Sequence, residues 1–320
     1  MRPWNVMLLA LALVLPGAAG AQDESGDPLG IALRDAAFIG DIDEVRDLVD
    51  RGADINGKNK FGKTALMRAA EEGNVRVVAY LVRRGADVNA RTVAGCTALT
   101  FSAEFNHPGV AALLLHHGAN VHDRTRSGWD SLMIAARQGH ELLVRQLIFM
   151  GADTGARDKD GQTALMGAAA KGHVDVVRAL LAGRAEPNSR DHNGATALFL
   201  AAENGHPEVV GTLLEGGADA TLLDNDGASA LIWAASRGHA DVMELLVAAG
   251  APAGLADENG VTPLMEAARH GHLEAVQLLL RLGVPTGNRD HSGHTALDLA
   301  ARAGHDAVAN LLRNAPAATR

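Results

Sequence analysis

The sequence has one cysteine, Cys96, one tyrosine, Tyr80, and only 3% aromatic residues among 320. A lone thiol excludes an internal disulfide framework, so stability must come from packing. Cys96 is therefore a free thiol or one that pairs with another chain. So few rings also exclude an aromatic core. With 47% hydrophobic residues the core must be Ala, Leu and Val, small side chains that suit closely approaching helices better than a wide β-sandwich, and this apolar fraction excludes a disordered chain. Positive charge is in deficit, with a formal net charge of −9. That argues against a nucleic-acid partner, whose phosphates demand clustered Lys and Arg. Beyond the first two dozen residues no apolar run approaches the length of a membrane span.

Those first residues stand apart. Met1-Arg2 gives a positive start, Val6–Leu15 is almost unbroken apolar sequence, Pro16-Gly17 breaks it, and Ala19-Gly20-Ala21 offers a small-x-small cleavage site. This is the pattern of a secretory signal peptide over residues 1–21, cleaved after Ala21, with an uncleaved anchor as the alternative. Its removal takes away Arg2 and no acid, moving the charge from −9 to −10. The expected location is periplasmic or secreted.

Signatures of catalysis are missing too: no nucleophile elbow, no phosphate-binding glycine loop, no two-histidine metal helix. The reading is a non-enzymatic chain with no cofactor.

What the chain has instead is a ruler. Glycines fall at 62, 95, 128, 161, 194, 227, 260 and 293, every 33 residues without an insertion. Each opens one phrase, from GKTALMRAA and GCTALTFSA through GQTALMGAA to GHTALDLAA. Residues 29–56 fit the same register as a degenerate first unit, giving about nine units over 29–314, after a short linker (22–28) and before a tail (315–320). Fixed periodicity of this length means a stacked repeat array rather than two globular domains.

One unit reads physically. Two residues after each glycine stands Thr64, Thr97, Asp130, Thr163, Thr196, Ser229, Thr262 or Thr295, each able to cap the free N–H groups of a helix start. A short Ala-rich helix follows, such as Ala164, Leu165, Ala168 and Ala169, and Gly172 breaks it. A second helix puts Val174, Val177, Leu180 and Leu181 on one face and stops at a glycine such as Gly151, Gly217, Gly250 or Gly283. The segments G-x-T-A-L, A-A-x-x-G-H and L-L-x-x-G-A-D, in eight consecutive copies, resemble the ankyrin repeat. The resemblance implies an all-α repeat solenoid, a curved stack of helix-turn-helix units with projecting β-turn fingers. It also implies binding of a protein partner through the concave face and finger tips.

Departures from the family pattern are specific. Only Thr262-Pro263 keeps the proline of T-P-L-H, and its His is replaced by Met67, Met133, Met166 or Met265, or by Thr100, Phe199, Ile232 and Asp298, which predicts a largely apolar stripe. Arg184 stands where a capping glycine belongs, with Gly183 beside it able to shift the cap by one residue. Gly167 lies inside a helix at a cost of about 1 kcal/mol relative to Ala. Together they mark this unit as the weakest joint. Asp35, Asp41, Asp43, Glu44, Arg46 and Asp47 in the first unit, and Asp298, Asp306, Asn310 and Arg313 in the last, predict polar end caps.

Seven histidines share the ruler: His107, His140, His173, His206, His239, His272 and His305, with Asn74 in the same place. Neighbouring helices pack roughly 8–10 Å apart, whereas a zinc ion holds ligands at about 2.0–2.1 Å. Histidines one repeat apart therefore cannot share a metal or pass a proton directly. Each is expected to satisfy a backbone carbonyl in the adjoining loop, as Asn74 also can. His270, His291 and His294, with His272 nearby, are the alternative surface metal site.

What does not repeat is where function is expected. Lys60, Phe61, Lys63, Phe105, Arg126, Trp129, Arg137 and Gln138 cluster on tips and first-helix ends of the first three full units, and Lys159 and Lys171 extend the basic character. Trp and Arg are frequent binding hot spots. The alternative for Trp129 and Phe61 is local packing over a neighbouring loop, and Tyr80 and Trp233 read as packing residues. The expected molecule is a monomeric scaffold with an aromatic-and-basic anchor patch, or alternatively a protective factor with no single hot spot.

Overall fold

The protein is described by a computed structural model covering residues 27–315. The expected leader, most of the linker and residues 316–320 of the tail lie outside the described residues. Within them nine helix pairs follow one another: α1 (Pro28–Ile39) and α2 (Ile42–Asp50), α3 (Ala65–Glu71) and α4 (Val75–Arg83), α5 (Ala98–Glu104) and α6 (Pro108–His116). Next come α7 (Ser131–Gln138) and α8 (Glu141–Phe149), α9 (Ala164–Lys171) and α10 (Val174–Ala182), α11 (Ala197–Glu203) and α12 (Pro207–Glu215). The last three pairs are α13 (Ala230–Arg237) and α14 (Ala240–Ala248), α15 (Pro263–Arg269) and α16 (Leu273–Arg281), α17 (Ala296–Ala303) and α18 (Asp306–Asn314). Each first helix packs on the first helices of the units beside it, and each second helix on the second, so the molecule is an all-α solenoid. No strand forms among the described residues; there is a single antiparallel bridge, Leu223 to Ser229. The array starts at Pro28, inside the expected linker, because the Asp27 side chain accepts the Gly30 N–H at 3.0 Å and Pro28 costs no donor in the first turn.

The caps explain where the helices begin. In seven of the eight full units the expected Thr, Ser or Asp accepts the N–H three residues on, at 2.9–3.4 Å. Thr196 is the exception and makes no such bond. Behind the caps, alanine pairs such as Ala69-Ala70, Ala135-Ala136 and Ala234-Ala235 are wholly buried, which lets adjacent first helices approach closely. Leu81, Leu114, Leu147, Leu180, Leu213, Leu246 and Leu279 are also fully buried, each contributing about 1.5–3 kcal/mol of transfer free energy. The stripe at the departed His position is apolar and inside: Met67, Met133, Met166, Met265, Phe199 and Ile232 are all buried. Thr100, also buried, and Asp298 are the polar exceptions, and each returns a capping box, accepting the Thr97 and Thr295 N–H groups at 2.8 and 2.9 Å. At both ends the acidic and basic side chains expected for caps lie on the exposed surface, Asp298 excepted.

One expected detail is corrected. The helix cap of the Arg184 unit is not moved to Gly183, which stays right-handed at φ −77°. Arg184 itself takes the left-handed conformation, at φ +64°. The bonds Arg184 N–H to Leu181 O and Ala185 N–H to Leu180 O (2.9 Å each) repeat those of the neighbouring units, so holding the 33-residue register outweighs the backbone strain.

Side chains lock unit to unit. Arg91, Arg124, Arg157 and Arg190 each donate to the backbone carbonyl of the residue 33 further on, at 2.5–2.8 Å. The fingers are joined by their own backbones, with Val93 N–H bonded to Phe61 O, Arg126 to Ala94, Lys159 to Ser127 and His192 to Asp160 at 2.8–3.2 Å. Glycine is required at the finger turn: a Cβ on Gly62, at φ +80°, would sit 2.9 Å from Thr92 Cα of the next finger.

Candidate functional site

Each finger is held by the residue three before its glycine. Asp158 Oδ1 accepts the N–H groups of Asp160 and Gln162 at 2.9 and 2.8 Å, and Asn59 does the same for Phe61 and Lys63. Such side-chain turns fix the tips before any partner arrives.

On this frame the candidate residues fall into distinct environments. Phe61 is 57% exposed, and Lys60 Nζ lies 5.3 Å from its ring centre. The bond from Val93 N–H to Phe61 O places a second exposed apolar side chain, Val93, on the adjoining tip. Phe105 caps α5 and is 47% exposed. Arg126, Lys159 and Lys171 are exposed, and their side chains have no hydrogen-bond or ion-pair partner among the described residues. Gln138 is exposed and donates to Glu104 Oε1 at 2.7 Å.

Two candidates are more deeply engaged. Lys63 reaches across to Glu71 at 3.0 Å, where Arg68 also pairs, and its Nζ lies 4.6 Å from the Phe101 ring centre. Its charge is met within the protein. Trp129 packs partly against the core, its indole N–H donates to Asp158 Oδ2 at 2.9 Å, and the Arg137 guanidinium lies 5.2 Å from the ring centre. The ring thus folds over the next unit's finger while its half-buried face carries a cation.

Six ruler histidines, His107 to His272, place Nε2 2.9–3.3 Å from a carbonyl in the last turn of the preceding unit's first helix. Since a carbonyl only accepts, Nε2 carries the proton. Asn74 donates to Ala37 O and Phe38 O at 2.9 and 2.8 Å, the same task with an amide. His270 bonds the Glu266 carbonyl through Nδ1 and stacks on His272, and the His294 ring meets the Arg302 guanidinium. No group of three or more His, Cys, Asp or Glu among the described residues is placed to hold a metal. Cys96 is buried, and that burial pushes its thiol pKa up, away from the reactive thiolate. Trp233 is 7% exposed, meets Phe199 edge-on and donates its indole N–H to Asp224, a packing residue as expected.

Sequence reasoning missed Phe149, which at 88% is the most exposed large apolar side chain described, with Leu142 at 66% seven residues before it on α8. The signal was available: equivalents of Leu142 such as Arg76, Asp175, Glu208 and Glu274 are charged.

A family model described as ankyrin repeats (three copies) matches residues 33–125, 132–224, 212–290 and 231–319. No curated protein matches the chain.

Proposed function

The chain belongs to the ankyrin-repeat family, and from that premise we propose that it is an exported, monomeric, non-enzymatic scaffold that binds a protein partner. Ankyrin repeats as a family mediate protein–protein interaction. The observation that carries the finer reading is the set of exposed aromatics and unpaired cations on one run of fingers and first-helix ends: Phe61, Phe105, Arg126, Lys159 and Lys171. The Trp129–Arg137 pair lies within the same run. In a chain with 3% aromatics, exposed rings beside free cations make a concentrated anchor. Export rests on the leader-like residues 1–21, and the periplasm or the exterior is the proposed location.

The test is crosslinking in cells from a photoreactive residue at position 129, with the captured protein identified by mass spectrometry. The double variant Trp129→Ala, Arg137→Ala, and separately Phe61→Ala and Phe105→Ala, are then measured against it. Loss of affinity by about thirtyfold or more at two of these sites is the expected hot-spot result. Unchanged affinity in all three refutes the patch. Small losses spread along every unit favour a protective factor that covers its client without one hot spot, a reading supported by the continuous bonding of the fingers.

A further inference from the structure

A recess of about 660 Å³ opens at the other end of the array, between α13, α15 and the fingers of the last two units. That is within the range of roughly 300–1,000 Å³ typical of ligand sites. Trp233 lines it, its ring centre 5.4 Å from that of Phe199 and its indole N–H donating to Asp224 Oδ2 at 3.0 Å.

Four carboxylates and two arginines surround the recess, and the carboxylates are already engaged. Asp257 Oδ1 accepts the Asn259 and Val261 N–H groups, and Asp290 Oδ1 those of Ser292 and His294, at 2.8–2.9 Å. Glu203 accepts from Arg237 at 2.7 Å. Glu266 lies 3.6 Å from Arg269 and 3.4 Å from His270. Arg269 is left short of acceptors. Its Nε is shielded from solvent and bonds to nothing among the described residues, and its one ion pair, at 3.6 Å, is too long for a hydrogen bond. Nε itself is closed to a guest, but the Arg269 side chain is 40% exposed and lines the recess. Its terminal N–H groups, with no acceptor among the described residues at hydrogen-bond distance, offer an edge that matches a carboxylate in geometry and charge.

We propose that this recess takes the carboxylate of a Glu or Asp side chain on the bound protein, with Arg269 as its anchor and Trp233 as its floor. The four resident carboxylates favour a singly charged guest, since a phosphate group brings about −1.5 to −2 charges into the same field. The protein source of the side chain rests on the interaction reading above; the preference for a carboxylate does not.

The experiment uses the full chain labelled with ¹⁵N. The Arg269 Nε–H and Trp233 indole N–H signals are followed while N-acetylglutamate N-methylamide, or its glutamine counterpart, is added. The acid should shift both signals saturably, with a dissociation constant of about millimolar order for one charge-assisted pair. The glutamine probe should bind at least about tenfold more weakly, the loss of a charge-assisted partner. In Arg269→Met and Arg269→Lys the Trp233 signal should report loss of the acid's advantage over the amide. Equal shifts from the two probes, no saturable shift with the acid, or an unchanged response in Arg269→Met overturns the proposal. The acid–amide comparison in the unaltered protein needs no variant to fold. Failure of the Trp129–Arg137 patch leaves this titration intact, and failure here leaves the patch standing.

Discussion

The imidazole of His173 occupies the space that a Cβ on Gly139 would need: Nδ1 would lie 2.7 Å from it, while Nε2 holds the Arg137 carbonyl at 3.0 Å. Gly139 is itself left-handed at φ +82°. The same pairing recurs between Gly73 and His107, Gly172 and His206, Gly205 and His239, Gly238 and His272, and Gly271 and His305. Glycine and histidine on the ruler are thus halves of one joint.

Breaking either half should loosen the stack by a different route. Gly139→Ala adds a left-handed penalty and a collision, together about 2–4 kcal/mol. His173→Ala leaves a helix-end carbonyl unmet, at about 1–3 kcal/mol. His173→Asn should recover part of that loss, because Asn74 already performs the task with an amide. Urea midpoints, with hydrogen exchange over α9 and α10, order the three variants. Equal losses in His173→Ala and His173→Asn would refute the hydrogen-bond account.

Arg184 and Gly167 should both be improvable. Arg184→Gly relieves a residue at φ +64°, for a gain of about 1 kcal/mol. Gly167→Ala gains about 0.8–1 kcal/mol of helix propensity, and its new Cβ meets nothing closer than Arg137 Cβ at 3.6 Å. If this unit is the weak joint, the double variant raises amide protection over residues 161–190 more than elsewhere.

Much of this architecture was legible because the same constraints are written nine times. A cap such as Thr64 or a core residue such as Leu165 depends on its own unit, so the period exposes it. The site was less legible because its state depends on contacts between units or between finger and helix. Lys63 reads as a free cation until Glu71, eight residues on, is seen to take it. Trp129 reads as an exposed anchor until Asp158 of the next finger fixes its indole. Arg269 gives no sign in the sequence that its Nε lacks an acceptor, since that depends on neither Asp290 nor Glu266 reaching it. Phe149 was legible on the same ruler, since equivalents on the second helix such as Arg83, Glu215 and Arg281 are charged.

Burial pushes the Asp130 carboxyl above its ordinary value of 3.8, despite the Met133 N–H it accepts. The folded state then holds this proton more tightly than the unfolded chain. As pH rises above about 3.8 the unfolded state releases it first, so Asp130 lowers stability through that window and above it. Asp130→Thr supplies the uncharged cap used at Thr64, Thr97 and Thr163. It should be more stable than the wild type at neutral pH, with the difference vanishing below the window. Urea titrations of both proteins from pH 3 to 7 check this, since taking the difference removes every other carboxylate's contribution. A variant less stable at neutral pH would mean that the charge on the helix start outweighs its desolvation.

Asp158 offers a way to separate the shape of the proposed anchor from its composition. Its Oδ1 holds the finger turn while its Oδ2 takes the Trp129 indole N–H, so the two roles use different atoms. Asp158→Asn can keep the turn but sets an amide N–H₂ against the indole donor. The finger should survive, with a stability loss of about 1 kcal/mol because the indole is only partly buried. The Trp129 ring, freed from one constraint, should then show faster depolarisation of its fluorescence in a Trp4→Phe, Trp233→Phe background, where it is the single tryptophan. If Trp129 binds as a preorganised ring, partner affinity falls in Asp158→Asn although every side chain of the patch is still present. A loosened ring with unchanged affinity would leave Trp129 as packing alone, and the anchor would then reside in Phe61, Phe105 and the unpaired cations beside them.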